Sequence, residues 1–215
     1  MTRDPVTVTP DDTLAHALRL TREHRIRHLP VVDAAGTVAG ILSDRDIRTA
    51  MPSPLTVEDP ERVDFLERTP VAAVMTREVI TISPRDTVED AAKLLCRHRI
   101  GSLPVVSAAG CLEGILSETD ILSAFVQVLG SAGPSTRLEV ALADRPGELS
   151  RVVRILGEEL HINIVGVLTS PVPVEGKRTV ILHVSSIDPR EAIQALRGVG
   201  FAVGWPSLEE DLGRG

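Results

Sequence analysis

Two short stretches hold the side chains best placed for chemistry. Gly40-Ile41-Leu42-Ser43-Asp44-Arg45-Asp46 and Gly114-Ile115-Leu116-Ser117-Glu118-Thr119-Asp120 each set a serine three residues ahead of an aspartate, directly after an aliphatic pair. A carboxylate accepts two hydroxyl donors, the start of a helix offers free N–H groups and a positive dipole end, and aliphatic walls suit a flat ring. The same spacing is close to that of a capping box, with serine as the cap and aspartate reaching back to it. The motif alone leaves both readings open, and the two roles are compatible.

Each stretch closes a longer unit that the chain writes twice. Met1 to Ala50 aligns with Met75 to Ala124 without a gap, at a constant shift (75 − 1 = 74), and about half of the paired positions are identical. Each copy opens on a short β-branched run, Val6–Thr9 or Ile80–Ser83, closed by Pro10 or Pro84 and read as a brief strand. Polar residues Asp11–Thr13 or Arg85–Thr87 then precede a helical stripe, Leu14, Ala17, Leu18 and Thr21 in copy one and Val88, Ala91, Ala92 and Leu95 in copy two. Leu29-Pro30-Val31-Val32 and Leu103-Pro104-Val105-Val106 read as buried strands, and the turns at Gly36 and Gly110 lead to second strands and a last helix begun by Ser43 or Ser117.

The order per copy is βαββα in about 50 residues, too short for a stable core alone. The two copies are therefore expected to pack together about a pseudo-twofold axis. Met51 to Val74 reads as a linker and a helical lead-in, Val71-Ala72-Ala73-Val74-Met75, to the second copy. Copy one has no counterpart of that lead-in, so either the start lies upstream of Met1 or that side of copy one is uncapped.

Beyond copy two the helix runs on to Leu129, and Gly130 to Ser135 reads as a linker. A different pattern follows: a strand at Arg137–Ala143, the turn Asp144-Arg145-Pro146-Gly147, a helix over 148–161 with a stripe of Leu149, Val152, Val153 and Leu156, a strand at Ile162–Leu168, a hairpin, a strand at Thr179–Ser185, a helix at Pro189–Val199 and a last strand at Phe201–Trp205. That order, βαββαβ, puts two helices on one face of a four-stranded antiparallel sheet. The fold class is thus α/β (α+β), with copy one at 1–50, linker and lead-in at 51–74, copy two at 75–129, a linker at 130–135, the ferredoxin-like domain at 136–208 and a tail at 209–215.

The chain has 215 residues, 43% hydrophobic and only 2% aromatic, with a formal net charge of −7, which argues against non-specific binding of nucleic acid. No apolar run approaches the roughly 20 residues needed to cross a bilayer, and the N-terminus is polar, so a cytoplasmic protein without membrane contact is expected. Cys96 and Cys111 have no CxxC or neighbouring histidine at ligand spacing, and read as free thiols, not metal ligands. His24 and His98 recur at helix ends and read as partly exposed, not as ligands. There is no Gly-rich phosphate loop, no HExxH and no Cys/His pair near a plausible nucleophile, so no catalytic residues and no catalytic cofactor are assigned.

The duplicated half resembles a pair of CBS domains, through the Thr-Val-x-Pro opening, the Leu-Pro-Val-Val strand and the Gly-x-x-Ser-x-x-Asp ending, each present twice in order. The C-terminal half resembles an ACT domain, through Asp144-Arg145-Pro146-Gly147-Glu148-Leu149 after the first strand and Ile162-Asn163-Ile164 at the second. A CBS pair followed by one ACT domain is similar to the layout of acetoin-utilisation AcuB-type proteins.

The CBS resemblance implies adenine nucleotide (AMP, ADP or ATP class) in clefts between the copies, with Asp46 and Asp120 on ribose and Ser43 and Ser117 near phosphate. Ile41, Leu42, Ile115 and Leu116, with the strand edges His28-Leu29-Pro30 and Ser102-Leu103-Pro104, would line the base pocket. Copy one adds Arg25, Arg27, Arg45 and Arg48, where copy two has Gly101 for Arg27, Thr119 for Arg45 and Leu122 for Arg48. A polyphosphate such as ATP is therefore expected to prefer copy one. The ACT resemblance implies a small effector, often an amino acid, near Asp144, Pro146, Gly147 and Asn163 at an interface between two such domains, and both module types imply a homodimer. The function read from the sequence is a ligand-sensing regulatory protein, linked by the AcuB-type layout to acetoin utilisation. The rivals are a ligand-free structural adaptor and, less favoured, an enzyme.

Overall fold

The computed structural model describes residues 1–53, 58–128, 135–174 and 176–205 and divides into two compact units, Met1–Leu122 and Ser123–Gly215. The expected linker at 130–135 lies outside the described residues except for Ser135, as do the end of the domain expected at 136–208 and the tail at 209–215.

In copy one, α1 (Leu14–Glu23) begins where the Thr13 hydroxyl accepts from the His16 N–H. Strands β2 (His28–Val32) and β3 (Val38–Ser43) pair antiparallel with Leu29 opposite Leu42, and α2 (Asp44–Ala50) follows at once. Copy two repeats this with α4 (Val88–His98), β4 (Ser102–Val106), β5 (Leu112–Ser117) and α5 (Glu118–Val128), after α3 (Asp59–Arg68) in the connection. The opening runs are less regular than a strand. Each contributes one parallel bridge, Val8 to Val31 and Ile82 to Val105.

The two copies meet reciprocally. Val38 N–H donates to Gly110 O at 3.3 Å, and Leu112 N–H donates to Gly36 O at 3.0 Å, with Thr37 bridged to Cys111 between them. Each copy also lends an arm to the other. Thr76, at the start of copy two, bridges Ile41 in copy one, and β1 (Thr2–Arg3) pairs with β5 through Thr2 and Ile115. The arms cross closely over glycines: a Cβ on Gly114 would lie 2.8 Å from the Thr2 carbonyl oxygen, and one on Gly40 would press 2.6 Å from Met75 Sδ.

The segment expected to lead into copy two packs instead on copy one. After α3, Thr69 O accepts from Leu14 N–H at 2.9 Å, Val71 N–H donates to Asp12 O at 2.7 Å, and Ala72 N–H donates to Pro10 O at 2.9 Å. Leu66, Val71 and Met75 join Val8, Leu14, Leu29 and Leu42 in one core. This segment thus covers copy one, against the alternative that its side is uncapped. Copy two builds its core from Ile82, Ala91, Leu95, Leu103, Val105, Leu116 and Ile121.

The second unit has the order β6 (Thr136–Ala143), α6 (Glu148–Arg154), β7 (Ile164–Thr169), β8 (Lys177–Val184), α7 (Arg190–Gly198), β9 (Ala202–Gly204). Its sheet runs β7-β8-β6-β9, all neighbours antiparallel, which is the ferredoxin-like βαββαβ arrangement. The first helix ends in a π-turn at Ile155–Glu159, and its buried side is Glu148, Val152, Ile155 and Leu156, while Leu149 and Val153 of the expected stripe face outward. An apolar count could not anticipate a buried glutamate on that face. No helix among the described residues is long and apolar enough to cross a membrane.

Candidate functional site

Both Ser-x-x-Asp motifs form full capping boxes. Asp46 Oδ2 accepts from Ser43 N–H at 2.8 Å and from Ser43 Oγ at 2.7 Å, and Asp46 N–H donates to Ser43 Oγ at 3.1 Å. Ser117 and Asp120 repeat this at 2.8, 2.7 and 3.2 Å. The capping role engages Oδ2 and leaves Oδ1 to face other partners, so a second role for the carboxylate remains available. In copy two the Met1 ammonium lies 3.9 Å from Asp120 Oδ1.

The start of α2 is a poorer anion site than its sequence suggests. Asp44 N–H already donates to Arg27 O and Asp46 N–H to Ser43 Oγ, and the first turn carries two carboxylates. Ser43 as a phosphate neighbour therefore draws little help from the helix end.

A cleft of about 360 Å3 opens beside this box within the first unit. Copy one supplies Arg27, His28, Ile41, Ser43, Asp44, Arg45 and Asp46, and copy two supplies Thr76, Glu78, Val79, Ile80, Arg99, Ile100, Gly101, Ser102 and Glu118. The cleft is thus built across the pseudo-twofold axis. Its apolar wall is Ile41, Val79, Ile80 and Ile100; its cations are Arg27, Arg45 and Arg99.

Of the residues expected here, Ile41, Ser43, Arg45, Asp46, His28 and Ser102 come together, while Pro30 and Pro104 are buried in the strands opposite Ile41 and Ile115. Leu42 and Leu116 do not wall it. They alternate with Ile41 and Ile115 along their strands and point into the two cores, facing Leu29 and Leu103. Ile115, Ser117 and Asp120 gather at the other arm crossing, beside Thr2 and Met1.

The expected arginine surplus is reduced. Arg48 pairs with Asp44 at 2.5 Å and is not among the residues lining the cleft, and neither is the exposed Arg25. Arg99, the copy-two counterpart of Arg25, takes its place. Sequence reading misses Arg99, Val79, Ile80 and Glu118, because they reach the cleft from the other copy; the gapless repeat is the signal that could pair them.

Two polar groups in the cleft are unusual. Ser102 is 3% exposed and its Oγ has no hydrogen-bond partner among the described residues. His28, its counterpart 74 residues earlier, packs on Gly101: a Cβ there would lie 2.8 Å from the imidazole Cε1 and 3.0 Å from Nε2. Burial holds the His28 pKa below its ordinary value, Arg27 pushes the same way, and Asp44, Asp46 and Glu118 oppose them. Among the described residues no cluster of three or more His, Cys, Asp or Glu is placed to hold a metal ion.

In the second unit, Asp144 is held by Arg178 through hydrogen bonds of 3.0 and 3.3 Å, and Gly147 has φ of 92° at the start of α6. Asn163 lies at the far end of the sheet. Its neighbour Ile164 pairs with Val184, which also pairs with Thr136 at the start of β6, whereas Asp144 follows the end of that strand. One chain therefore does not bring Asn163 to Asp144.

The family model for the CBS domain matches residues 1–53 and 71–127. The chain belongs to the CBS-domain family. A CBS domain-containing protein of Dictyostelium discoideum is 35% identical over 137 residues, covering 63% of this chain and 94% of that protein. Inosine-5'-monophosphate dehydrogenase of Korarchaeum cryptofilum is 33% identical over 149 residues, covering 69% of this chain but only 28% of the dehydrogenase. Among solved structures, a protein from Vibrio cholerae named for acetoin utilization (AcuB) shares 31% identity with a TM-score of 0.51, over 62% of this chain and 94% of that one. CBSX2 in complex with AMP shares 30% identity with a TM-score of 0.51, over 60% of this chain and 93% of that one. The two CBS repeats together make a regulatory module.

Proposed function

We propose that the CBS pair senses an adenine nucleotide in the cleft beside Asp46, and that AMP is its best-fitting form. The observation that carries this is the composition of the cleft: an aliphatic wall from both repeats, a carboxylate with one oxygen outside its capping role, and three arginines at one cavity. The base lies against Ile41, Val79, Ile80 and Ile100, the ribose hydroxyls donate to Asp46, and the phosphate meets Arg27, Arg45 and Arg99. Glu78 and Glu118 share the cleft, and Arg48 is committed to Asp44, so a triphosphate gains less here than the sequence implied. The similar CBSX2 structure holds AMP, which supports the same class of ligand. Because the ligand touches both repeats, it biases how they pack, to the extent that its affinity differs between packings.

Calorimetry with AMP, ADP, ATP, S-adenosylmethionine and NADH tests this. AMP should bind most tightly, and Asp46→Asn should weaken it at least tenfold while the protein stays folded. Equal or tighter binding of ATP would overturn the AMP preference, and no adenosine compound binding would overturn the reading.

For the second unit we infer an ACT-type role in homodimer formation, with an amino-acid effector shared between two chains. The parallel course of β6 and β7 separates Asp144, Pro146 and Gly147 from Asn163 within one chain, which supports a site shared with a second copy. Sedimentation should give a dimer, and Trp205 fluorescence should shift with an amino acid only in the dimeric form; a monomer would overturn both. A role in acetoin utilisation belongs to this proposal through the AcuB likeness alone, and growth of a deletion strain on acetoin tests it.

A further inference from the structure

His28 is the histidine of the cleft, and the repeat puts no imidazole at the matching place. Its counterpart in copy two is Ser102, and the residue facing it, Gly101, is the counterpart of Arg27. A bulky imidazole and a bare glycine thus meet at the seam, where the other copy would place a serine and an arginine. The imidazole has Arg27 beside it, just ahead of its strand. Asp44, Arg45 and Asp46 approach from the α2 start, and Arg99, Glu78 and Glu118 line the same cavity from copy two.

We propose that His28 couples nucleotide binding to proton uptake: as the ligand's phosphate enters beside Arg27 and Arg99, the imidazole takes a proton from solvent and becomes a further cation of the phosphate site. This rests on the nucleotide reading above and specifies how that site responds to its surroundings. Before a ligand binds, burial and Arg27 favour the neutral ring. A phosphate carries about −1.5 to −2 charges near neutral pH, enough to offset Arg27 and reverse that preference. The bound state then holds a proton that the free state lacks, so affinity rises as pH falls and is lost as pH rises through the His28 pKa of the complex. Asp44, Asp46 and Glu118 already pull in this direction. Glu118 reaches the contact from copy two, with its Oε2 3.9 Å from the point where a Cβ on Gly101 would sit.

The test is AMP calorimetry on the full chain at pH 6, 7 and 8, in two buffers of different ionisation enthalpy, with His28→Ser and His28→Gln beside the parent. Serine is accommodated at the equivalent place in copy two, and glutamine keeps polarity without titrating. The free AMP phosphate has its own pKa near 6, and that free-ligand reference is the same in all three titrations. The parent should take up a larger fraction of a proton than either variant and should gain about fivefold more affinity between pH 8 and pH 6, below the limit of tenfold per pH unit for one proton. Equal proton uptake and parallel pH profiles, with AMP still bound, would overturn the coupling alone. Absence of AMP binding at every pH would remove the nucleotide reading and this inference together.

Discussion

Leu14 and Val88 stand at equivalent positions of the two repeats, yet Leu14 is fully buried and Val88 is 39% exposed. The difference is the Thr69–Met75 segment, which lies over the start of α1 and hydrogen-bonds to Leu14, Asp12 and Pro10. Among the described residues nothing does the same for Val88, Asp86 and Pro84. A cleft of about 460 Å3 opens on that side of copy two, lined by Pro84 and Asp86 together with Val106, Ala108 and Glu113, and not by Val88.

Leu14→Ala should therefore destabilise the CBS module by about 2–5 kcal/mol, as for a filled core position. Val88→Ala should cost less than about 1 kcal/mol. Urea unfolding of both variants checks this, and similar losses would show that the two helix starts are equally supported. By the same argument, amides of α4 should exchange hydrogen faster than those of α1.

Ser43→Ala removes a cap whose hydroxyl both accepts from Asp46 N–H and donates to its carboxylate. A loss of about 1 kcal/mol is expected. Ser117→Ala should behave alike, since its box has the same geometry. If AMP affinity falls only for Ser43→Ala while both lose the same stability, the cap and ligand roles are separable.

Gly101→Ala should leave the fold in place but displace His28, because the new methyl would stand 2.8 Å from the ring. AMP affinity should drop and lose its pH dependence. A crystal structure with His28 unmoved would contradict this.

Glu148 ties the second unit to neutral pH. Hydrogen bonds from Arg145, joined by Arg151, hold its carboxyl below the ordinary value against the opposing effect of desolvation. The unfolded carboxyl titrates at about 4.3, so the stabilisation is present above that pH and is lost as pH falls through the lower folded value. Glu148→Gln should unfold more easily at pH 7 and show a flatter stability profile from about pH 5 to 3. Trp205 fluorescence during urea unfolding gives the comparison.

Much of this is legible in the residues. The repeat, the capping serines and the βαββαβ order follow from periodicity and spacing, which are local. What spacing does not show is which face a residue takes when a chain crosses between copies. Leu42 sits in the motif but alternates inward, and Arg99 sits far from it but arrives through the pseudo-twofold. Arg48 reads as a phosphate ligand because sequence shows a charge and not its partner, Asp44. The buried Glu148 shifts the helix face for a like reason: its burial depends on two arginines that only the fold gathers.

The crossed arms make the two repeats mutually dependent. Thr76 completes the sheet edge of copy one at Ile41, and Thr2 completes that of copy two at Ile115. A repeat cut out alone would lose the arm its sibling supplies and keep one it cannot use, so separated repeats are expected to exchange arms between molecules. Within one chain the two halves need not be identical, and a histidine on one side of the seam is matched by a glycine on the other.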